Sequence, residues 1–281
     1  MTSAPPAWAS AHTAAEVAGV SIKHLTELED AHRVDRVIAA LWGEEAVLSA
    51  PLIRALQHAG SVLYGAEGRG DLVGFVFGFV GFDGGLHLHS HMLGVLPDWQ
   101  EKGVGYALKL AQRAACLDQG LDEVRWTFDP LIARNARFNL VKLGAVGARI
   151  LIDFYGDMPD RVNRGDRSDR FEVVWRLRSE RVDRALRRGV EEPPLGDAIL
   201  EAMDGETTMP RPRLTGTKPS PGATVTVPRD YLSLREKDPA LAREWREASA
   251  EALAACFGEG LEAAWMMRDG RYVFEPRTEE R

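Results

Sequence analysis

The stretch Leu93-Gly94-Val95-Leu96-Pro97-Asp98-Trp99-Gln100-Glu101-Lys102-Gly103-Val104-Gly105-Tyr106-Ala107-Leu108 runs from an apolar strand through a glycine-punctuated turn straight into a helix. Its reading decides the fold. Two glycines spaced one apart let the backbone adopt conformations closed to other residues and let a ligand approach the main chain closely. The helix that follows offers unpaired N–H groups and the positive end of its dipole. A phosphate or pyrophosphate is the guest this layout suits.

Around that stretch the totals set limits. The chain has 281 residues, 45% of them apolar and 27% charged, as expected for one large or two modest globular domains. No run of eighteen apolar residues appears, and no basic segment followed by an apolar one opens the chain. The expectation is a cytoplasmic protein without a membrane partner. Cys116 and Cys256 sit in helical patterns of small apolar residues, without framework or metal spacing, which suits a reducing compartment. A net charge of −7 without a basic stripe argues against nucleic acid as a partner.

Upstream of the turn, residues 1–19 are rich in Ala, Pro, Ser and Thr and read as a flexible tail with room for one short helical turn. Val20–Leu25 alternates like a strand, Glu27–Trp42 takes helical spacing, and Pro51–His58 follows as a second helix stopped by Gly60. Three strands in meander order, Ser61–Ala66, Leu72–Phe82 and Leu86–Leu96, lead into the glycine turn. The helix from Val104 to about Gln119 carries an apolar stripe at Val104, Ala107, Leu108, Ala111 and Ala115, with Lys109, Gln112 and Arg113 expected to face outward. Glu123–Asp129 is the next strand, Ala133–Leu143 the next helix, and Ala148–Tyr155 and Phe171–Leu177 close the unit. Hairpins demand antiparallel neighbours and the βα steps demand parallel ones, so the fold class is α/β with a mixed sheet.

After Arg178 the composition shifts. A charged helix over Glu180–Arg188 precedes a Pro/Gly/Thr-rich linker at 190–222, and a smaller β-α-β-β block ends the chain. The expected domains are therefore 20–178 and a C-terminal α+β extension, 179–281. The extension is too small to stand alone and is expected to pack on the first domain, either covering an acceptor pocket or forming a homodimer interface.

The spacing Val95-x-Pro97-x-x-Gln100-x-x-Gly103-x-Gly105-x-Ala107-Leu108, together with the element order, resembles the GNAT superfamily of acyl-CoA N-acyltransferases over roughly Val20 to Leu177. A Rossmann turn would need a third glycine at the dinucleotide spacing and a Walker loop a Gly-Lys-Ser/Thr, and neither is present. The resemblance implies that Gln100, Glu101, Lys102, Gly103, Val104 and Gly105 wrap the pyrophosphate of an acyl-coenzyme A co-substrate. It further implies that Leu93 and Val95 hold the pantetheine arm. The segments Phe128-Asp129-Pro130-Leu131, Asn135 to Ala145 and Trp245-Arg246 resemble a longer subgroup, some members of which use succinyl-CoA to acylate amino acids. Acetyl or succinyl transfer to a small-molecule amine is the implied activity.

Such a transfer needs a neutral amine, a polarised carbonyl and a proton for the departing thiolate. His87, His89 and His91 alternate on the strand before the turn, so strict pleating projects all three from one face together with Leu93 and Val95. Relatives with a strand-borne base place it eleven positions before the signature Gln, which here is His89. A histidine titrates near neutral pH and can accept the amine's proton. The rival use of His-x-His, two imidazoles on one zinc ion, lacks an acidic or cysteine partner at recognisable spacing, and no metal is expected. Where many relatives carry a tyrosine acid this chain has Leu140, which leaves Asn139 and Tyr155 as candidates for the sulfur end. Arg134, Arg137, Arg149 and the Arg161/Arg164/Arg167 loop are candidates for a carboxylate clamp, and Arg246 reads as a packing or ion-pair residue. The alternative to an enzyme is a non-catalytic acyl-CoA sensor, which the missing tyrosine encourages. A His-rich metalloenzyme on another fold is the third reading.

Overall fold

The computed structural model of the chain describes residues 7–46, 48–187, 189, 191–203 and 209–278. They fall into two compact units, one within Met1–Trp126 and Pro159–Arg164, the other within Thr127–Met158 and Gly165–Arg281. In chain order the first unit contains α1 (Ala7–Ala18), β1 (Ser21–His24), α2 (Leu28–Trp42), α3 (Ala50–His58), β2 (Val62–Gly68), β3 (Asp71–Gly81), β4 (His87–Val95) and α4 (Val104–Asp118). The strand β5 (Glu123–Phe128) begins in this unit and ends in the second.

The first sheet is mixed, as its connections require. β1, β2, β3 and β4 pair antiparallel in that order, and β4 pairs parallel with β5 because α4 carries the chain back across the sheet. Both faces of the meander are covered. On one, Leu25, Val34, Ile38, Ile53, Leu63, Phe75 and Phe77 form a core, and on the other Ala66, Val73 and Val76 meet Val104, Ala107 and Leu108 of α4. Helix starts follow local chemistry: Glu27 and Asp30 form a capping box at α2, and Ser49 caps α3 ahead of Pro51.

The flexible tail expected over 1–19 is instead helical from Ala7 to Ala18, while residues 1–6 lie outside the described ones. Alanine has the highest helix propensity, and Ala11, Ala15 and Ala18 bury a side-chain-poor stripe that lets α1 approach α4 closely. Trp8 Nε1 ties it down by donating to Asp118 Oδ2 at 2.6 Å. A second correction concerns α4. Lys109 and Gln112 do not face outward; both are buried.

The second unit contains α5 (Ala133–Arg137), β6 (Val146–Leu151), β7 (Arg170–Arg176), α6 (Glu180–Leu186), β8 (Ala198–Met203), β9 (Arg211–Leu214), β10 (Thr224–Thr226), α7 (Tyr231–Lys237), α8 (Pro239–Gly258), β11 (Leu261–Met266) and β12 (Arg271–Pro276). Its strands lie in the order β7-β6-β11-β12-β10-β8-β9, antiparallel except for β10 with β8. The linker expected at 190–222 thus holds two strands within its described residues. β9 carries Pro212 and flanks Pro210, and a strand that cannot donate at proline belongs at a sheet edge, where β9 lies. The strand expected to reach Tyr155 ends at Leu151, since Asp153 has φ 48° and turns the chain.

α8 lies against β6, β8, β9, β10 and β11. Its Arg246, 2% exposed, is the ionic centre of this unit. The guanidinium donates to both oxygens of Asp129, at 2.7 and 2.8 Å, and to Asp166 Oδ2 at 2.5 Å, while the Tyr231 hydroxyl donates to the same Asp166 oxygen at 2.9 Å. Burial alone would raise the Asp166 carboxyl, but the hydrogen bonds and charge of Arg246 outweigh it and hold the group below its ordinary value. Arg246 is therefore a packing and ion-pair residue. Arg246→Ala takes the guanidinium from Asp129 and leaves Asp166 with Arg235 alone as its cation, and we expect a loss of about 3–5 kcal/mol, read as a lower midpoint in thermal or urea unfolding.

Candidate functional site

The turn at the start of α4 has the backbone of an anion cradle. Pro97–Trp99 forms one 3-10 turn, Glu101 and Gly103 take positive φ values of 63° and 91°, and α4 starts at Val104. The first intrahelical bond runs from the Ala107 N–H to the Gly103 carbonyl at 3.0 Å, so the N–H groups of Val104 and Gly105 lie outside the helical ladder. Gly105 has only the Leu93 and Val95 side-chain tips near the place a Cβ would occupy, both at 3.8 Å. Gln100 Nε2 donates to the Val95 carbonyl at 3.0 Å, so this side chain fastens the turn to the end of β4. Lys102 and Arg69 both place their cations near the Trp99 ring, 5.4 and 5.7 Å from its centroid, which adds positive charge beside the turn.

β4 carries the three histidines, but not as strict alternation requires. Phe77 pairs with Met92 and Gly78 with Ser90, so His91 is an extra residue in β4, a β-bulge. Beyond the bulge the pleat is reversed. His89 stays opposite Phe79, whereas Leu93 pairs with Val76 on the α4 face. The expectation that Leu93 and Val95 share a face with the histidines is thereby corrected, and the bulge is the physical reason. The imidazoles of His89 and His91 both lie against Phe79, with ring centroids 5.2 and 5.8 Å away, and 6.1 Å from each other. Desolvation beside these rings lowers the pKa of His91 below the ordinary histidine value, although its outer edge is exposed. His87 is buried at the hairpin, where its Nδ1 donates to the Gly85 carbonyl at 2.9 Å. It is a hairpin brace, while His89 is half-buried and His91 exposed. Among the described residues, no three His, Cys, Asp or Glu side chains gather in a metal-holding group.

Among the described residues, β4 and β5 pair at Leu88 with Val124 and at His89 with Arg125. Arg125 anchors the paired end by donating to the Asp83 carbonyl at 2.7 Å. At the next residues of the two strands, Ser90 and Trp126, the Lys109 ammonium touches both side chains. Its Nζ is 2.8 Å from Ser90 Oγ, 3.0 Å from Gln112 Oε1 and 3.9 Å from the centre of the Trp126 ring. Burial pushes the amine down to about 7, opposed by the nearby Cys116 thiol, which burial in turn pushes up to about 12. The sequence signal for this cluster was present, because Lys109 and Gln112 fall three residues apart on one helix stripe, but an apolar-stripe reading assigns both to solvent.

Of the remaining candidates, all but Arg161 and Arg164 belong to the second unit. Asn139 is buried within the π-helical turn Phe138–Lys142, and Leu140 beside it is 1% exposed. Tyr155 is exposed in the turn after β6; its hydroxyl is 3.1 Å from Thr127 Oγ1, and Arg170 lies 5.4 Å from its ring centre. Among the arginines proposed as a clamp, Arg137 donates to the Met266 carbonyl, Arg149 pairs with Glu172, Arg164 donates to the Pro159 carbonyl and Arg167 pairs with Asp169.

Residues 25–138 match the acetyltransferase (GNAT) family. This stretch is a GNAT acetyltransferase domain. No curated protein matches the chain. Among solved structures the chain is similar to the ribosomal-protein-S18-alanine N-acetyltransferase of Escherichia coli, with 17% identity, 56% of this chain and 94% of that one covered, and a TM-score of 0.47. It is also similar to Arabidopsis thaliana Naa50 in complex with a bisubstrate analogue (17% identity, 56% and 97% covered, TM-score 0.46). A third is the yncA protein of Salmonella typhimurium with its cofactor acetyl-CoA (16% identity, 57% and 95% covered, TM-score 0.47). The GNAT match ends at Phe138, and the glycine turn and the β4 bulge both lie inside it.

The buried Lys109 of this domain makes stability depend on pH. Its folded value lies below that of a free lysine, so between about 7 and the ordinary 10.5 the unfolded chain binds the extra proton. Stability contributed by this group therefore rises with pH across that window. Denaturant unfolding of the wild type and of Lys109→Met at pH 7 and pH 9 should show the wild type gaining on the variant as pH rises; parallel curves would remove Lys109 from the linkage.

Proposed function

We propose that the chain is a coenzyme A-dependent N-acyltransferase that moves an acetyl or succinyl group from acyl-CoA to the amine of a small molecule, with amino acids as the first acceptor class to test. The observation that carries this reading is the cradle at α4, where Glu101 and Gly103 at positive φ lead into the N–H groups of Val104 and Gly105. A pyrophosphate fits it by charge and by hydrogen bonding. Lys102 adds a cation beside the cradle, and Leu93 and Val95 of β4 supply the strand next to it along which the pantetheine arm would run.

In this reading the thioester lies toward the point where β4 and β5 part. His89, half-exposed against Phe79, accepts the proton of the attacking amine, directly or through water, while His91 lines the same face and His87 holds the hairpin. Nitrogen attacks the thioester carbonyl, the carbon–sulfur bond breaks, and coenzyme A leaves as thiolate, a good leaving group that solvent can protonate. Leu140, apolar and buried, cannot donate that proton. The domain would span residues 20–178, with the extension 179–281 bearing on the acceptor or on a second copy of the chain.

The buried leucine also keeps a second reading in view, a sensor that binds acyl-CoA without turnover. A thiol-release assay with acetyl-CoA and succinyl-CoA against a panel of amines and amino acids separates the two. Acceptor-dependent thiol release is the expected result, and tight coenzyme A binding with no release across the panel would favour the sensor. In an active enzyme His89→Ala should lower kcat by ~10²–10⁴-fold and remove the acidic limb of the pH profile, with the KM for acyl-CoA unchanged. An unaltered profile would take His89 out of the mechanism.

A further inference from the structure

The Lys109 amine lies under the point where two parallel strands separate. The β4–β5 ladder ends at His89 and Arg125, and the first residue past it on each strand, Ser90 and Trp126, touches the same Nζ. The residue opposite Ser90 in β3 is Gly78, and the Gln112 amide nitrogen would lie 3.2 Å from a Cβ built there, so no side chain of β3 competes for the space. All three donors of the ammonium are thus engaged, by Ser90, by Gln112 and by the face of the Trp126 ring.

An apolar side chain would fill this position without desolvating a charge, and buried ionic groups are commonly replaceable by apolar ones with no loss of stability. Packing alone therefore does not call for a lysine. The groups around it leave its charge uncompensated. On its own helix the nearest titratable group is the Cys116 thiol, held protonated by burial, and beyond it lies Tyr64 of β2, whose hydroxyl is likewise raised by burial and by the charges of Asp118 and Cys116. β3 presents glycine and β4 presents Ser90, with His89 and His91 on the opposite face. β5 presents Trp126, while Arg125 and Glu123 pair with each other at 2.5 Å. The stripe that α1 buries is alanine.

We propose that Lys109 is a positioning residue for acyl transfer: it holds Ser90 and Trp126 at a set separation at the parting of β4 and β5, and its positive charge faces the place where the thioester carbonyl and departing sulfur gain negative charge. This rests on the acyltransferase reading above. Acting through the two strand residues and through its field, the ammonium favours the transition state over bound acyl-CoA, so its loss appears in kcat and not in KM. The protonated form is the active one. Because burial lowers this amine to about 7, the rate carries a descending limb as pH rises through that value.

The test compares the wild type, Lys109→Met and Ser90→Ala in steady-state kinetics from pH 6 to pH 9, with thermal unfolding of each. Lys109→Met should keep or gain stability, keep the KM for acetyl-CoA, lose kcat on the order of 10²-fold below pH 7, and lose the descending limb. Ser90→Ala retains the charge and should show a smaller fall in kcat with the limb intact. Wild-type kcat with an unchanged limb in Lys109→Met overturns the proposal, as does a change confined to KM. If Lys109→Met fails to fold, Ser90→Ala decides, and an unchanged kcat there overturns it. A wild type that releases no thiol with any acceptor sinks the acyltransferase reading and this inference with it, whereas turnover with silent variants sinks the inference alone.

Discussion

The early end of the parallel ladder between β4 and β5 is the constraint on which the first unit depends. Two adjacent parallel strands would ordinarily continue to pair, because an unpaired backbone group away from water is costly. Here the ladder runs through His89 and Arg125, and three features follow along β4 from that point. The extra residue His91 kinks β4, the Lys109 amine occupies the space between Ser90 and Trp126, and α4 leaves the end of β4 through a turn that only positive φ angles can make. A unit built this way leaves helix N–H groups at the start of α4 for a ligand to complete.

The placement of charge follows the same geometry. Helical N–H groups at Val104 and Gly105 and the cations of Lys102 and Arg69 sit at the turn, where a pyrophosphate would lie. Lys109 sits further along α4, about 1.4 turns from Val104 by the 3.6-residue repeat. An elongated ligand with anionic groups at one end and a reacting carbonyl at the other meets positive potential at both. In the second unit a buried ionic cluster, Arg246 and Arg235 with Asp129 and Asp166, pairs two cations with two carboxylates and serves stability.

Much of this was legible from residue pattern. The meander, the α4 crossover and the mixed sheet follow from alternation, turn residues and the spacing Gln100-x-x-Gly103-x-Gly105, because each rests on local chemistry. What stayed hidden depends on contacts distant in sequence. Alternation alone puts Leu93 and Val95 with the histidines, and only the pairing with β3 reveals the extra residue at His91. Lys109 and Gln112 look solvated until Ser90 and Trp126 are seen to receive them. The alanines of α1 carry no apolar contrast, so their helix is recognisable only by its partner α4. The β8 and β9 strands are short and proline-flanked and show themselves by their neighbours in the sheet.

The measurement that bears most directly on this account is a crystal structure of the protein with coenzyme A. The pyrophosphate should accept hydrogen bonds from the Val104 and Gly105 N–H groups, and the pantetheine should run beside Leu93 and Val95 with its sulfur at the parting of β4 and β5. Coenzyme A bound elsewhere, or a β4–β5 ladder that closes over the Ser90–Trp126 gap when the ligand is present, would contradict it.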